Sequence, residues 1–405
     1  MKDSNDFVER RARLRWHEPK DAYDVVIIGG GGHGLATAYY LAERHGITNV
    51  AVIEAGYIGS GNSGRNTTII RANYGIPEAV RFYQHSLDLY QTLEDDLDCW
   101  IMYETKGIAW LAHTETQMRA ERARSLLNMA CGAETLMITP REAKELCPQL
   151  DLSGGGRYPV LGGSYHPAAA TARHDRVVWA YAGGAMRRGA HVLQHTKVTG
   201  LLREGSRVTG VQTSAGPISA GVVLGAVGGS VSTIAAHAGV RLPIRTHPLQ
   251  AFVTNSYEGD FPGIVSDTEL LCYVSQTERG QMLVGAEYDA QPSYSQRSSF
   301  SFLQHTAAKV THLLPFMHDL RILRQWTGIC DISADFSPIM GVTGVDGFLV
   351  TTGWGTWGFK AIPAGGEQMA QLIATGRTPP MLEPFRLDRF ASDHTMSDPG
   401  SAGTH

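Results

Sequence analysis

Apolar and polar residues follow one another in this chain in runs whose length and period separate strands from helices. Residues 24–28 (DVVII) form a continuous apolar run of buried-strand length. Six residues of glycine-rich sequence follow, then a helical period over 35–45 and a second apolar run at 50–54 (VAVIE), which together predict a βαβ unit. Helical periodicity returns over 79–97, 115–129, 140–146 and 171–188, with a strand predicted at 107–112 and an irregular, glycine-rich stretch at 154–167. Short runs at 192–195, 198–204, 207–213 and 216–226, broken by Gly and Ser, have the spacing of a β-meander returning to a sheet. Residues 240–330 mix strand patterns at 249–254, 270–275 and 282–287 with one helix near 299–314, and the strand 348–352 runs through a glycine-rich turn into a helix at 363–374. At the ends, residues 1–22 read as a polar arm carrying Arg11, Arg13 and Arg15, and the polar tail from 377 is expected to fray.

Composition narrows the partners. Of 405 residues 43% are hydrophobic and 18% charged, which is globular, and the formal charge of −4 with 35 scattered basic residues argues against a nucleic-acid partner. The five cysteines include no C-x-x-C pair and have no histidine at zinc-ligand spacing, so no metal site and a reducing, cytoplasmic setting are expected. No apolar run approaches the ~18 residues that span a bilayer, and the N-terminal residues have no apolar core of an export signal, so no membrane partner is expected.

The glycine run carries the first chemistry. Gly29, Gly31 and Gly34 stand in G-x-G-x-x-G spacing between a strand and a helix. Gly29 permits the tight turn, Gly31 lets backbone approach a pyrophosphate, Gly34 lets the helix pack on the strand, and the helix N-terminus offers free N–H groups to phosphate. Glu54, at the end of the second strand, is placed to accept hydrogen bonds from both ribose hydroxyls of an adenosine. A nicotinamide enzyme would continue βαβ units here. A Gly/Ser/Asn-rich loop follows instead, at 59–65, and the sheet returns only near 221–228, which favours FAD. Gly228 and Gly229 would then close over the adenine side.

Four segments, DVVIIGGGGHGLATAYYLAERHGITNVAVIEAG, GRNTTIIRANY (64–74), ARHDRVVWAYA (172–182) and GWGTWGFK (353–360), closely resemble the β subunits of heterotetrameric sarcosine oxidases. The first segment alone indicates the wider D-amino-acid oxidase and glycine oxidase family. The resemblance implies an α+β fold: a Rossmann-like FAD-binding domain interleaved with a substrate domain on a mainly antiparallel sheet. The boundaries expected are 1–22 for the arm, 21–80, 155–235 and 330–378 for the FAD domain, 81–154 and 236–329 for the substrate domain, and 379–405 for a flexible tail.

It further implies non-covalent FAD and a second flavin, FMN, attached covalently through His174 of the ARHD segment. Cofactor contacts are expected from Gly29, Gly31, Gly32, His33, Gly34, Glu54, Asn62, Arg65, Asn66, Thr67, Val198, Gly228, Gly355 and Gly358. Arg71 and Lys360 match the Arg and Lys that bind the substrate carboxylate in single-chain sarcosine oxidases. Chemistry supports this pairing independently: an Arg fork suits a planar carboxylate, and a Lys beside a flavin can stabilise negative charge on the reduced ring. Those single-chain enzymes also carry a histidine where Gly64 stands and a flavin-linked cysteine where Gly328 stands, and this chain has neither. Trp354 and Trp357 read as walls of the cavity or as core, and His166 and His247, beside prolines, as packing residues.

The implied reaction is oxidative demethylation of sarcosine to glycine. Hydride passes to FAD and electrons to FMN and O2, yielding H2O2 with formaldehyde or, with tetrahydrofolate, a methylene adduct. The implied partners are α, γ and δ subunits, with the folate site on α. Two rivals stand beside it: a self-standing FAD-dependent amino-acid or amine oxidase, and a non-catalytic electron-transfer flavoprotein subunit.

Overall fold

The computed structural model describes residues 11–392 and 394–396. The expected βαβ unit is present as the strand Ala22–Ile28, the helix Gly32–His45 and the strand Val50–Ile53. Gly46, with φ +67, ends that helix in the left-handed conformation that glycine adopts without a Cβ penalty. Nearly every side chain from Gly34 to Ala42 is buried, because the helices His174–Arg187 and Ile362–Thr375 pack against this one. A Cβ on Gly366 would lie 2.5 Å from that of Ala36, so glycine there sets how closely the first and last helices cross.

The first sheet runs in the order Val198–Glu204, Arg207–Thr213, Gly216–Gly225, Ala22–Ile28, Val50–Ile53, His191–Leu193. The last four pair in parallel from Gly216–Gly225 onward, and the second half of Gly216–Gly225 also pairs in parallel with Phe348–Thr352. The meander returns antiparallel over its last three runs, as expected, whereas His191–Leu193, expected to open it, pairs in parallel with Val50–Ile53 at the other edge of the sheet. The second sheet runs Ile322–Ser333, Ile244–Ser256, Gln281–Tyr288, Cys272–Gln276, Ile264–Asp267, Ile108–Ala112, Gly162–His166, Leu136–Ile138. Only Ile264–Asp267 with Ile108–Ala112 is parallel, so the fold is α+β with one Rossmann-like and one mainly antiparallel sheet.

Three expectations are corrected. The stretch 154–167 is not irregular throughout: Gly162–His166 is a strand of the second sheet, in which Gly163 allows the backbone of Trp110 to come within 1.9 Å of where a Cβ would sit. The strand Ile322–Ser333 crosses the boundary expected at 330. It lacks an apolar signature because its first half lies open to solvent at Ile322, Leu323 and Arg324. The tail does not fray at 379. Leu382 and Phe385 are buried, and Arg389 forms a buried two-pronged ion pair with Asp335 at 2.8 and 2.9 Å. The arm is described only from residue 11. Its Ala12 and Leu14 pack on the core, and a Cβ on Gly183 would meet the Arg13 backbone at 3.1 Å.

Candidate active site

A cavity of about 700 Å³, within the range of ligand sites, lies between the carboxyl ends of the parallel strands and one face of the second sheet. Its wall begins at the glycine loop. Gly29 has φ +113, and a Cβ there would lie 2.3 Å from the Ala226 carbonyl oxygen. A Cβ on Gly34 would lie 2.2 Å from the Gly29 oxygen, so this residue serves packing and does not line the cavity. Gly31 does line it, and the nearest protein atom to a Cβ there is Ser63 Oγ at 3.1 Å. Gly32 N–H donates to that same hydroxyl at 2.9 Å, whereas the N–H groups of Gly31 and His33 meet no protein acceptor among the described residues. A bare backbone and unspent donors at a helix N-terminus fit a pyrophosphate.

Glu54 stands next to this loop and also lines the cavity. Its Oε2 accepts the Gly30 N–H at 2.8 Å, and its Oε1 accepts the Gly56 N–H at 2.8 Å and the Ser60 hydroxyl at 3.1 Å. A carboxylate offers about four lone-pair sites. Three are used within the protein, so one remains for a ribose hydroxyl where two had been expected.

Asn62, Arg65, Asn66 and Thr67 form one wall, braced by the second sheet. The Asn62 amide accepts the Ile329 N–H at 2.9 Å and donates to the Ile329 carbonyl. Arg65 donates to the Ser60 and Gly61 carbonyls, and its own carbonyl accepts the Trp326 indole N–H at 2.8 Å. Asn66 accepts the Thr68 N–H at 2.8 Å in a turn where Thr68 takes φ +63, and Thr67 donates its hydroxyl to Tyr273 at 2.9 Å. Val198 and Gly228 also line the cavity, a Cβ on Gly228 lying 3.6 Å from the Asn62 amide nitrogen, and Gly355 and Gly358 line the turn before the last helix.

His33 Nε2–H donates to the Gly358 carbonyl at 2.9 Å and its ring stacks on Trp354 at 4.0 Å, so it braces the glycine loop against that turn. Burial lowers its pKa to about 3, which keeps the imidazole neutral. Trp354 is a cavity wall, whereas Trp357 packs in the core against Tyr74 and Tyr83. His166, buried, bonds the Glu134 carbonyl and the Ala72 N–H, and His247 bonds the Asp289 carbonyl at 2.8 Å, as packing residues do. Buried Cys330 lines the cavity, but burial pushes its thiol far above the usual range, which leaves no reactive thiolate there.

Arg71 and Lys360 line the same cavity, 7% and 8% exposed. The Arg71 guanidinium donates to the Asn73 carbonyl at 2.6 Å and stacks on the rings of Tyr74 at 4.3 Å and Trp110 at 4.9 Å, which fixes its plane. Lys360 Nζ donates to the Thr356 carbonyl at 3.2 Å, and no carboxylate pairs with it among the described residues. Burial holds its pKa well below 10.5, and the charge of Arg71 lowers it further. Two buried cations facing one space, with Ile69, Ile108 and Leu249 also in the wall, suit a small anion with an apolar part.

His174 is the one candidate the structure leaves outside the cavity wall apart from Gly34. It begins the helix His174–Arg187, where the positive end of the helix disfavours an imidazolium. Burial lowers its pKa, opposed by Asp175. The nearby Gly64 carbonyl opposes that lowering as well. Gly64 belongs to the loop that walls the cavity, so His174 lies behind that wall.

Sequence reasoning missed Ser60 and Ser63, which organise the phosphate end, and Trp110, Tyr273 and Asp331 at the other. The serines were within the flagged loop. Asp331 had a signal, a lone acid inside the apolar run GICDIS, whereas Trp110 and Tyr273 come from remote strands and had none.

The family described as FAD dependent oxidoreductase matches residues 24–372. Sarcosine oxidase β subunits from Arthrobacter sp. and Rhodobacter capsulatus are each 42% identical to the chain, over 95% and 98% of its length and the same shares of theirs. Among solved structures, L-proline dehydrogenase from P. horikoshii superposes with a TM-score of 0.88 at 29% identity, covering 93% of this chain and 100% of that one. Glycine oxidase from Geobacillus kaustophilus, at 23% identity, shares the fold with a TM-score of 0.82 over 91% and 99%. The chain belongs to the FAD dependent oxidoreductase family and, within it, to the sarcosine oxidase β subunits.

Proposed function

We propose that this chain binds FAD non-covalently and oxidises sarcosine to glycine as the catalytic subunit of a sarcosine oxidase. The observation that carries the reading is that Arg71 and Lys360 share one cavity with the glycine loop and Glu54. The loop N–H groups would hold the pyrophosphate, Glu54 a ribose hydroxyl, and the two cations the substrate carboxylate. Bound FAD supplies the acceptor for the N-methyl hydride. Arg71, with its plane fixed by Tyr74 and Trp110, orients the carboxylate by a two-pronged contact. Lys360 adds a second donor and a positive charge, and the apolar walls exclude water from the amine.

By the same proposal His174, with its neutral ring, carries an FMN covalently at an interface, and α, γ and δ subunits, O2 and tetrahydrofolate complete the system. The FAD domain corresponds to the first sheet with its helices and the substrate domain to the second. All five cysteines are free and no described helix is long and apolar enough to cross a membrane, which suits the cytoplasm.

The test is product analysis with the complete complex. Sarcosine should yield glycine, and Arg71→Met and Lys360→Met should each suppress it. Turnover of L-proline with none of sarcosine would move the substrate to a cyclic secondary amine. Turnover by the chain alone, with colourless protein after denaturation, would favour a self-standing oxidase.

A further inference from the structure

Asp331 is a buried carboxylate that none of the roles above employs. It is 1% exposed, lines the cavity, and has no cation paired with it among the described residues. A buried charge of this kind is costly unless hydrogen bonds compensate it. Most of its compensation comes from one place, its own backbone N–H adding the rest. Its Oδ2 accepts the Thr352 hydroxyl at 2.8 Å and the Gly353 N–H at 2.7 Å, the Trp354 N–H adds a further bond, and its backbone carbonyl accepts the Gly355 N–H at 3.1 Å. Four successive residues are therefore drawn to a single aspartate on the neighbouring strand Ile322–Ser333.

Those residues open the turn that delivers Lys360. Gly353 and Gly355 take φ +69 and +50, a conformation that needs glycine and has no sheet partner to hold it. The turn continues through Thr356, whose carbonyl holds Lys360 Nζ at 3.2 Å, and Gly358, whose carbonyl holds His33. A connected path thus runs from the Asp331 carboxylate through the turn backbone to the ammonium.

We propose that Asp331 is a positioning residue for Lys360: by gathering the donors of Thr352–Trp354 it sets the turn so that the ammonium meets the substrate carboxylate beside Arg71. The inference rests on the proposed role of Lys360 and goes beyond it in assigning what holds that residue in place. Asp331 touches no substrate in this reading and acts through the turn that carries Lys360. That separates it from a residue that merely supports the fold.

The experiment is a double-mutant cycle read by acetate binding to the oxidised holoprotein, followed as perturbation of the flavin absorbance. Asp331→Ala should retain FAD, because the glycine loop and Glu54 hold it from other strands even though Gly355 lies in the affected turn, and should weaken acetate roughly tenfold. In the Lys360→Met background the same substitution should cost almost nothing more, since interacting residues give non-additive effects. Asp331→Asn, whose side-chain oxygen can still accept from Thr352 and Gly353, should restore most of the affinity. If the alanine variant does not fold, Asp331→Asn and Thr352→Val, each alone and combined with Lys360→Met, complete the cycle. Equal losses with and without Lys360 would overturn the inference, as would wild-type affinity in Asp331→Ala. Absence of any acetate effect on the unmutated protein, or in Lys360→Met an unchanged affinity, would instead sink the carboxylate site itself.

Discussion

Lys360 makes ligand binding a proton-linked event. In the free site it is buried beside Arg71, and both conditions hold its pKa below 10.5. A bound carboxylate adds an opposite charge. At about 4 Å and an effective dielectric of about 20 the attraction is about 4 kcal/mol, so binding should raise the pKa of Lys360 above its value in the free site. The sign follows from proton counting. At low pH Lys360 is charged in both states and affinity is flat. Between the free and the bound pKa the complex holds one more proton than the free site, so affinity falls by up to tenfold for each pH unit gained. Above the bound pKa it is flat again. Acetate has no group that titrates in this range, so a titration of the oxidised flavoprotein from roughly pH 6 to pH 10 isolates the lysine. Calorimetry in two buffers of different ionisation enthalpy should register the proton uptake directly. Lys360→Met should bind weakly with no such slope. Arg71→Met removes the like charge and should move the falling limb to higher pH. A flat profile in the unmutated protein, or the same slope in Lys360→Met, would rule out the linkage through Lys360.

Other outcomes follow from the same geometry. Glu54→Gln places an NH2 where an oxygen now accepts backbone N–H groups, and should weaken FAD by about 1.5–3 kcal/mol, roughly 10- to 150-fold, in titrations of apoprotein; unchanged affinity would remove Glu54 from the site. His174→Asn should lose acid-stable flavin while non-covalent FAD stays, and intact mass should show an FMN-sized increment only in the unmutated chain. Arg389→Met leaves the buried Asp335 carboxylate without its partner and should cost about 3–5 kcal/mol in denaturant unfolding, with little effect on acetate binding.

What the sequence disclosed and what it hid divide along physical lines. The glycine loop and Glu54 were legible because each glycine answers a local steric demand and the whole unit spans one βαβ segment. Arg71 and Lys360 stood out as isolated cations in apolar surroundings, yet nothing in their separation along the chain told that they would share a wall. That proximity arises from strand pairing between remote segments. The strand Ile322–Ser333 was missed because it lies at a sheet edge with its first residues solvated, and so lacks either alternation or a continuous apolar run. The packed tail was missed for a different reason. Its anchor is an ion pair between Arg389 and Asp335, whose strength comes from burial that a polar, proline-containing composition conceals.

In the proposed reaction sarcosine delivers its electrons to FAD in the cavity walled by Arg71 and Lys360. The most direct test of this is anaerobic mixing of the purified complex with sarcosine, with flavin absorbance and glycine followed together in a single turnover. Bleaching is expected, with one glycine formed per two electrons taken up, slowed or weakened in Arg71→Met and Lys360→Met. A flavin that stays oxidised in the unmutated complex at saturating sarcosine would contradict the proposed reaction, as would bleaching that neither substitution alters.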